Sequence, residues 1–416
     1  MEVLYPVCCA LDVHQASVTA CLRSPGDGPQ RRQEVRTFNT TTRELLGLAD
    51  WLTAAGCTHV AMESTGIYWR PVYNILEGSF ELSVVNAQHV KMVPGRKTDV
   101  RDSEWLAQLL ELGLLRRSFV PPAAQRELRD LVRYRKRLIE ERAREANRVQ
   151  KVLETANIKL ASVVTTVLGV SARAMLKALI AGEQAPEQLA DLAQRRLRRK
   201  RAALGEALTG RVTAHHRFLL DHLLRHIEFL DGAIAACDRQ VETLTAPHAE
   251  ALTQLDTIPG VARRTAEVIA AELGCDMTRF PTAGHAASWT GLCPGNHESA
   301  GKRLSGRTRF ANRTLRQALV ESARGAVRKR DSYLAAQYRR LVKRRGDKKA
   351  IVAVAHSILV IASRLHRDPD EVRRMRPAPA PIYVGSSPSA CSLVDGPFAL
   401  THFRQYRIET LAISRS

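Results

Sequence analysis

Four short apolar runs, spaced by helix-sized intervals, constrain the first hundred or so residues more than any other feature. "VCCALDV" carries apolar residues into Asp12, and after a polar break Val18 to Leu22 resume a strand. "THVAMESTG" ends near Glu63, and "LSVVNA" leads into "HVKMVPGRKTDVRDSEWLAQLLELG". Short strands alternating with helical stretches specify an α/β core. Thr98 is placed to cap the helix that follows, and Leu106, Leu109 and Leu110 supply the face that docks it on the sheet.

Carboxylates punctuate these elements. Asp12 ends one strand, Glu63 ends another, and Asp99 and Asp102 stand three residues apart, on one face of a helix. Asp99 also falls at the positive helix end, where a carboxylate is favoured. Any one of these acids alone reads as ordinary and solvated. Converging above a sheet, the four repel one another unless divalent cations lie between them, so they can hold one or two Mg²⁺ ions. Lys91, Arg96, Lys97 and Arg101 surround the acidic pair and can hold phosphates there; a solvated basic loop is the plainer reading.

The chain of 416 residues carries a formal charge of +21, which attracts phosphate polymers without specifying a fold. An acidic centre inside so basic a chain favours a polyanionic substrate. The eight cysteines form no C-x-x-C pair, and adjacent Cys8 and Cys9 lie on an apolar run. Buried thiols in a reducing compartment fit this better than a disulfide framework. The opening "MEVLYPVCCALDV" lacks the basic lead of a signal peptide, and no apolar run reaches about 18 residues. A cytoplasmic protein without a membrane partner is expected.

After a Pro-Pro break the chain offers a long charged helix with 13 basic and 6 acidic residues between Arg116 and Lys159. Short helices follow through about residue 210, including the basic run "QRRLRRKR". Leu220, Leu223, Ile227, Leu230, Ile234, Cys237, Val241 and Leu244 alternate spacings of three and four, a seam that must pack on another helix of the same or a second chain. His215, His216, His222 and His226 lack a metal-ligand pattern and read as structural or solvated.

"LDTIPGVARRTAEVIAAELG" resembles a helix-hairpin-helix, whose turn amides grip one backbone phosphate. Its Gly260-Val261-Ala262 departs from the usual Gly-x-Gly, which weakens the phosphate-binding reading and leaves packing of the domain as the alternative. In "GLCPGNHESAGKRLSG", Ser299 lies beside small residues and among His297, Lys302, Arg303 and Arg307. Attack on a phosphate needs an activated hydroxyl and charge stabilisation; the stabilisers are present, and no base stands out. Ser288, read as buried on a short helix, and Ser305 are lesser candidates. From Lys302 to Lys349 there are 17 basic and 3 acidic residues, a concentration suited to phosphates that includes Arg309, Arg313 and Arg316. Beyond Asp370 the pattern dissolves into Pro, Ala, Ser and Gly.

The segments "ALDVHQ", "AMESTGIYW", "VPGRKTDVRDSEWLAQLL", "IPGV", "SWTGLCPGNHESAGK" and "NRTLRQALVESA" together resemble the DEDD transposases of the insertion-sequence family one-ten, also called bridge-RNA-guided recombinases. The likeness spans roughly residues 5 to 365; Ala311 replaces a common glycine. It implies an α/β ribonuclease-H/RuvC-like N-terminal domain (1–120), a helical linker and oligomerisation segment (121–250), a mainly α C-terminal transposase domain with the helix-hairpin-helix-like element (251–370), and a poorly structured tail (371–416). It places Asp12, Glu63, Asp99 and Asp102 as the Mg²⁺-holding tetrad and Ser299 as the nucleophile. The partners it implies are double-stranded donor and target DNA, a structured guide RNA, and further copies of the chain, a dimer assembling to a tetramer. A hydrolytic junction-selective nuclease, which would not need Ser299, and a non-catalytic basic DNA binder are the rival readings.

Overall fold

The computed structural model describes residues 2–26, 30–64, 66–86, 90, 102–295, 297–308 and 311–367. Strands β1 (Cys8–Val13), β2 (Ser17–Pro25) and β3 (Arg31–Asn39) form an antiparallel meander. Helix α1 (Thr42–Ala54) then crosses to β4 (His59–Glu63), which pairs with β1 in parallel, and α2 (Trp69–Leu76) leads to β5 (Glu81–Val85) beside β4. The sheet order is β3-β2-β1-β4-β5, so β1 is central, and Cys8 through Leu11 are wholly buried.

Alternation along the strands divides the apolar residues between two layers. Cys9, Leu11, Val60 and Met62 face a core closed by Leu45, Leu48 and Leu52 of α1 and by Val72 and Leu76 of α2. Cys8, Ala10 and Ala61 face the opposite core, closed by α3 (Asp102–Glu111) through Leu106, Leu109 and Leu110 as its periodicity requires. Edge strand β3 was not marked by the apolar pattern: none of its nine residues is buried. Its place is set by full backbone pairing to β2.

The Pro-Pro break introduces α4 (Ala123–Thr155), 33 residues long, or about 50 Å. At its far end lie α5 (Leu160–Val163), α6 (Val170–Ala181), α7 (Pro186–Asp191), a 3-10 turn over Arg195–Lys200, and α8 (Arg201–Leu208). These share a core that includes Leu153, Leu160, Met175, Leu176 and Leu204. Helix α9 (Ala214–Thr245) returns antiparallel to α4. Six of the eight seam residues are buried, with Leu224 and Thr245 taking the places of Leu223 and Leu244. The seam's partner is α4 of the same chain, so this stripe is already covered before any second copy is considered. His216 completes a capping box with Thr213, and His226 faces Glu141 and Glu145 at 3.8 and 3.7 Å.

The C-terminal unit comprises α10 (Ala249–Asp256), α11 (Arg263–Leu273), α12 (Ala283–Thr290), the hairpin β6 (His297–Ser299) and β7 (Lys302–Ser305), α13 (Arg313–Ala326), α14 (Tyr333–Arg345) and α15 (Asp347–Arg367). Its core also takes in Leu128 and Val132 of α4 and Val241 of α9. Helices α10 and α11 flank the Pro-Gly turn. There Gly260 has φ +84°, and a Cβ would lie 2.1 Å from the Ser322 carbonyl oxygen. This glycine serves close packing on α13. The tail beyond residue 370 lies outside the described residues, and among those described no helix is long and apolar enough to cross a membrane.

Candidate active site: acidic strand ends and a serine hairpin

Asp12 and Glu63 each stand one residue beyond the last parallel pair, Leu11 with Met62, on adjacent strands. By alternation both share the face of Ala10 and Ala61, the face that α3 covers. Helix α3 runs antiparallel to β1. Its last residue, Glu111, is paired to Arg23, which lies opposite Cys8, while Glu104 is near enough to Cys21, opposite Ala10, to push that thiol up. From Glu111 back to Asp102 the helix covers about 13 Å, and from Cys8 to Asp12 the strand covers about the same. Asp102 therefore begins α3 at the end of the sheet where Asp12 and Glu63 sit.

Glu111 anchors this arrangement: it is 3% exposed and paired with both Arg23 and Arg31. Asp12 is half-buried, with His14 Nε2 3.2 Å from its Oδ2. Asp102 is exposed and Glu63 half-buried. Carboxylate oxygens are the hard donors that suit Mg²⁺. Among the described residues no three His, Cys, Asp or Glu side chains are grouped to hold a metal ion. Asp99, together with Lys91, Arg96, Lys97 and Arg101, lies outside the described residues. Asp12, Glu63 and the start of α3 at Asp102 thus lie toward one end of the sheet, without their three side chains forming a group.

Ser299 ends β6 at a two-residue turn, paired across it with Lys302. Ala300 and Gly301 both have positive φ, +47° and +73°, the backbone that matches a tight hairpin to the twist of its strands. Below the tip, the Gly295 amide donates to the Arg307 carbonyl at 2.9 Å, and Pro294 bridges to Thr308. The side chains of His297, Ser299 and Arg303, and all of Arg309, lie outside the described residues. Lys302, Arg307 and Arg313 are exposed and Arg316 is half-buried. Of the lesser serines, Ser305 accepts the Arg307 amide at 3.2 Å. Ser288 is exposed, correcting its buried assignment: α12 turns Ala286, Ala287 and Thr290 inward instead.

A buried polar cluster between α4, α11 and the start of α13 was not legible in the sequence. Glu272 is wholly buried and meets Arg129, Arg133 and Asn312. Asn312 also accepts the Leu315 amide at 3.0 Å, capping α13. The N-cap was readable, since Asn precedes an amphipathic run, but its partner Glu272 is not local. Arg126 of α4 forks onto Glu77 at 2.6 and 2.9 Å, and Arg70 of α2 reaches Asp130 at 2.9 Å. Helix α4 is therefore held by the α/β unit and by the C-terminal unit at once. A small cleft of about 210 Å³ lies at this junction, lined by Ser64, Trp69, Arg70, Phe119, Arg126 and Arg129 among others.

Known proteins align with these two units. A DEDD-type family model of insertion sequence IS110, described as Transposase, matches residues 9–158. A second, described as Transposase IS116/IS110/IS902 family, matches residues 252–339. The chain is also similar to the insertion element IS110 uncharacterized 43.6 kDa protein of Streptomyces coelicolor, at 39% identity over 90 residues. That stretch is 21% of this chain and spans 22% of the relative's length. Through its α/β unit and its C-terminal helical unit, the chain is homologous to IS110/IS902-family transposases.

Proposed function

We propose that the chain is a transposase of a mobile insertion sequence that cleaves and exchanges DNA strands through a phosphoserine intermediate, guided by a structured RNA. What supports this reading is that Asp12 and Glu63 stand at the ends of adjacent parallel strands and α3 starts at Asp102, in a chain whose other homologous unit has Ser299 at the end of β6. The sheet order, an antiparallel meander followed by two parallel strands, supports the ribonuclease-H/RuvC-like reading of the first unit.

In this reading the Ser299 hydroxyl attacks phosphorus, the DNA oxygen leaves with the electron pair of the broken P–O bond, and the proton given up by the serine passes, by way of solvent, to that departing oxygen. The phosphoserine ester conserves the bond for a later attack by a DNA hydroxyl, which restores the phosphodiester and frees the serine. Lys302 and Arg307 balance charge on the phosphoryl oxygens. Asp12, Glu63, Asp99 and Asp102 would hold Mg²⁺, which when bound supplies Lewis-acid stabilisation of the phosphate and leaving oxygen. Sequence choice would rest on base pairing by the RNA, with the protein holding backbone and shape. The oligomer implied by the family would use surfaces other than the α9 seam.

The test combines purified protein, RNA transcribed from the flanking element, matched donor and target DNA, and Mg²⁺. A denaturation-resistant adduct mapped to Ser299, and absent in Asp102→Ala, is the expected result. Metal-dependent cuts that form no adduct and persist in Ser299→Ala would replace this reading with a hydrolytic nuclease.

A further inference from the structure

The run Arg195-Arg196-Leu197-Arg198-Arg199-Lys200-Arg201 places six cations in seven positions. It lies between the two homologous segments, 9–158 and 252–339, so neither match accounts for it. The first six residues form the 3-10 turn between α7 and α8, and none of them is buried.

The turn is fixed to the rest of the protein. The Gln194 amide donates to Ser171 Oγ at 3.0 Å, and Leu197 packs on the core formed by α5 to α8. Arg195 has φ +51°, a left-handed conformation that is unfavourable for a residue with a side chain. Residues i and i+3 eclipse in a 3-10 helix, which brings Arg196 and Arg199 to one side of the turn. Like charges so aligned repel one another.

Three of the cations are occupied by the protein itself. Arg198 Nε donates to the Ala193 carbonyl at 3.3 Å, Lys200 Nζ to the Val163 carbonyl at 3.2 Å, and Arg201 pairs with Asp191. Arg195, Arg196 and Arg199 are exposed and have no hydrogen-bond or ion-pair partner among the described residues. A backbone-fixed turn that crowds exposed guanidiniums is stabilised by an anion able to reach several at once. The planar fork of arginine matches phosphate oxygens in pairs, and a polymer supplies successive phosphates at the spacing of neighbouring side chains.

We infer that this turn is a separate nucleic-acid site, in which Arg195, Arg196 and Arg199 grip a phosphodiester backbone without reading bases. It goes beyond the recombinase reading and does not depend on Ser299 or on the acidic centre.

The test titrates full-length protein and the triple variant Arg195→Gln, Arg196→Gln, Arg199→Gln against a random-sequence DNA duplex and an RNA hairpin at several salt concentrations. Loss of three phosphate contacts makes the slope of log affinity on log salt shallower by about 2.7 on duplex DNA, roughly 0.9 per contact, and by somewhat less on single strands. A shallower slope on either probe supports the site and names its ligand as DNA or RNA. Unchanged slopes on both, with circular dichroism confirming a folded variant, overturn it. Ser299→Ala is expected to keep the wild-type slope, so a failed adduct assay and a failed backbone site remain distinguishable.

Discussion

Arg133 of α4 and Glu272 near the end of α11 form a two-pronged pair, Nε to Oε1 at 2.7 Å and Nη2 to Oε2 at 2.8 Å. The same carboxylate meets Arg129 Nε at 3.2 Å and accepts Asn312 Nδ2 at 2.6 Å. Burial pulls the Arg129 guanidinium down to about 10, and Glu272 acts against that shift. One fully buried anion thus joins the long helix, α11 and the cap of α13.

Breaking this cluster is expected to be costly. Glu272→Gln leaves two guanidiniums without their anion in a largely dry site, a loss of about 3–5 kcal/mol. Asn312→Ala removes an N-cap worth about 1 kcal/mol and leaves the carboxylate with one donor fewer. Urea denaturation of the two single variants and the double variant measures both losses. A double variant less destabilised than the sum of the singles is expected from residues in direct contact.

Two glycines respond to alanine in opposite directions. At Gly260 the backbone is left-handed and the added Cβ would meet the Ser322 carbonyl oxygen and the Ala326 amide, at 2.1 and 2.6 Å. Neither atom belongs to a flexible side chain, so Gly260→Ala is expected to cost about 3 kcal/mol or more. Gly205, inside α8, has nothing within 4 Å of its built Cβ, and Gly205→Ala gains about 0.5–1 kcal/mol of helix propensity. Thermal unfolding of both variants checks the contrast.

How far such features can be read ahead depends on whether their cause is local. Apolar periodicity located β1, β4, β5 and the docking face of α3, because burial on one side imprints a period on the sequence. Strand β3 left no such mark: "RRQEVRTFN" offers only Val35 to one core and Phe38 to the other, and is held by the β2 ladder. The α9 seam was legible as a stripe, but its partner on α4 was not, since a stripe carries no address. Ser288 failed for a related reason. In an eight-residue helix, a small error in phase moves a side chain from core to solvent. Asp12, Glu63 and Asp102 could be nominated because acids at strand and helix ends stand out against apolar runs. Glu272 could not, because every partner that makes it special comes from a distant part of the chain.

The thiols give a prediction in pH. Burial pushes Cys8, Cys21 and Cys57 up to about 12 from an ordinary 9.0, and Cys9 is raised well above that value for the same reason. The thiolate is the reactive form, so these four are expected to resist a disulfide reagent at pH 8 until the chain is unfolded. In the unfolded state they lose protons near 9, whereas the folded state keeps them protonated. The linked stability is therefore complete below pH 9 and declines as pH rises from 9 toward 12. Denaturation midpoints at pH 8 and pH 10 should fall in that order, and replacing Cys8 and Cys21 with Ser or Ala should flatten the difference.

The acidic strand ends predict a metal effect that needs no DNA substrate. Asp12 and Glu63 follow the pair Leu11 and Met62 on adjacent parallel strands, with Asp102 at the same end of the sheet. With no cation between them the carboxylates repel; a bound divalent ion turns that repulsion into attraction. Ligand bound only to the folded state stabilises it by RT ln(1 + [L]/Kd), about 2.7 kcal/mol at a hundredfold excess over Kd. Mg²⁺ is therefore expected to raise the melting temperature of the wild-type chain. Asp12→Asn should melt at or above the wild type without Mg²⁺, because one like charge is gone, and should lose most of the Mg²⁺ response. A response that persists undiminished in both Asp12→Asn and Glu63→Gln would remove these two residues from the proposed metal site, whatever happens in a cleavage assay.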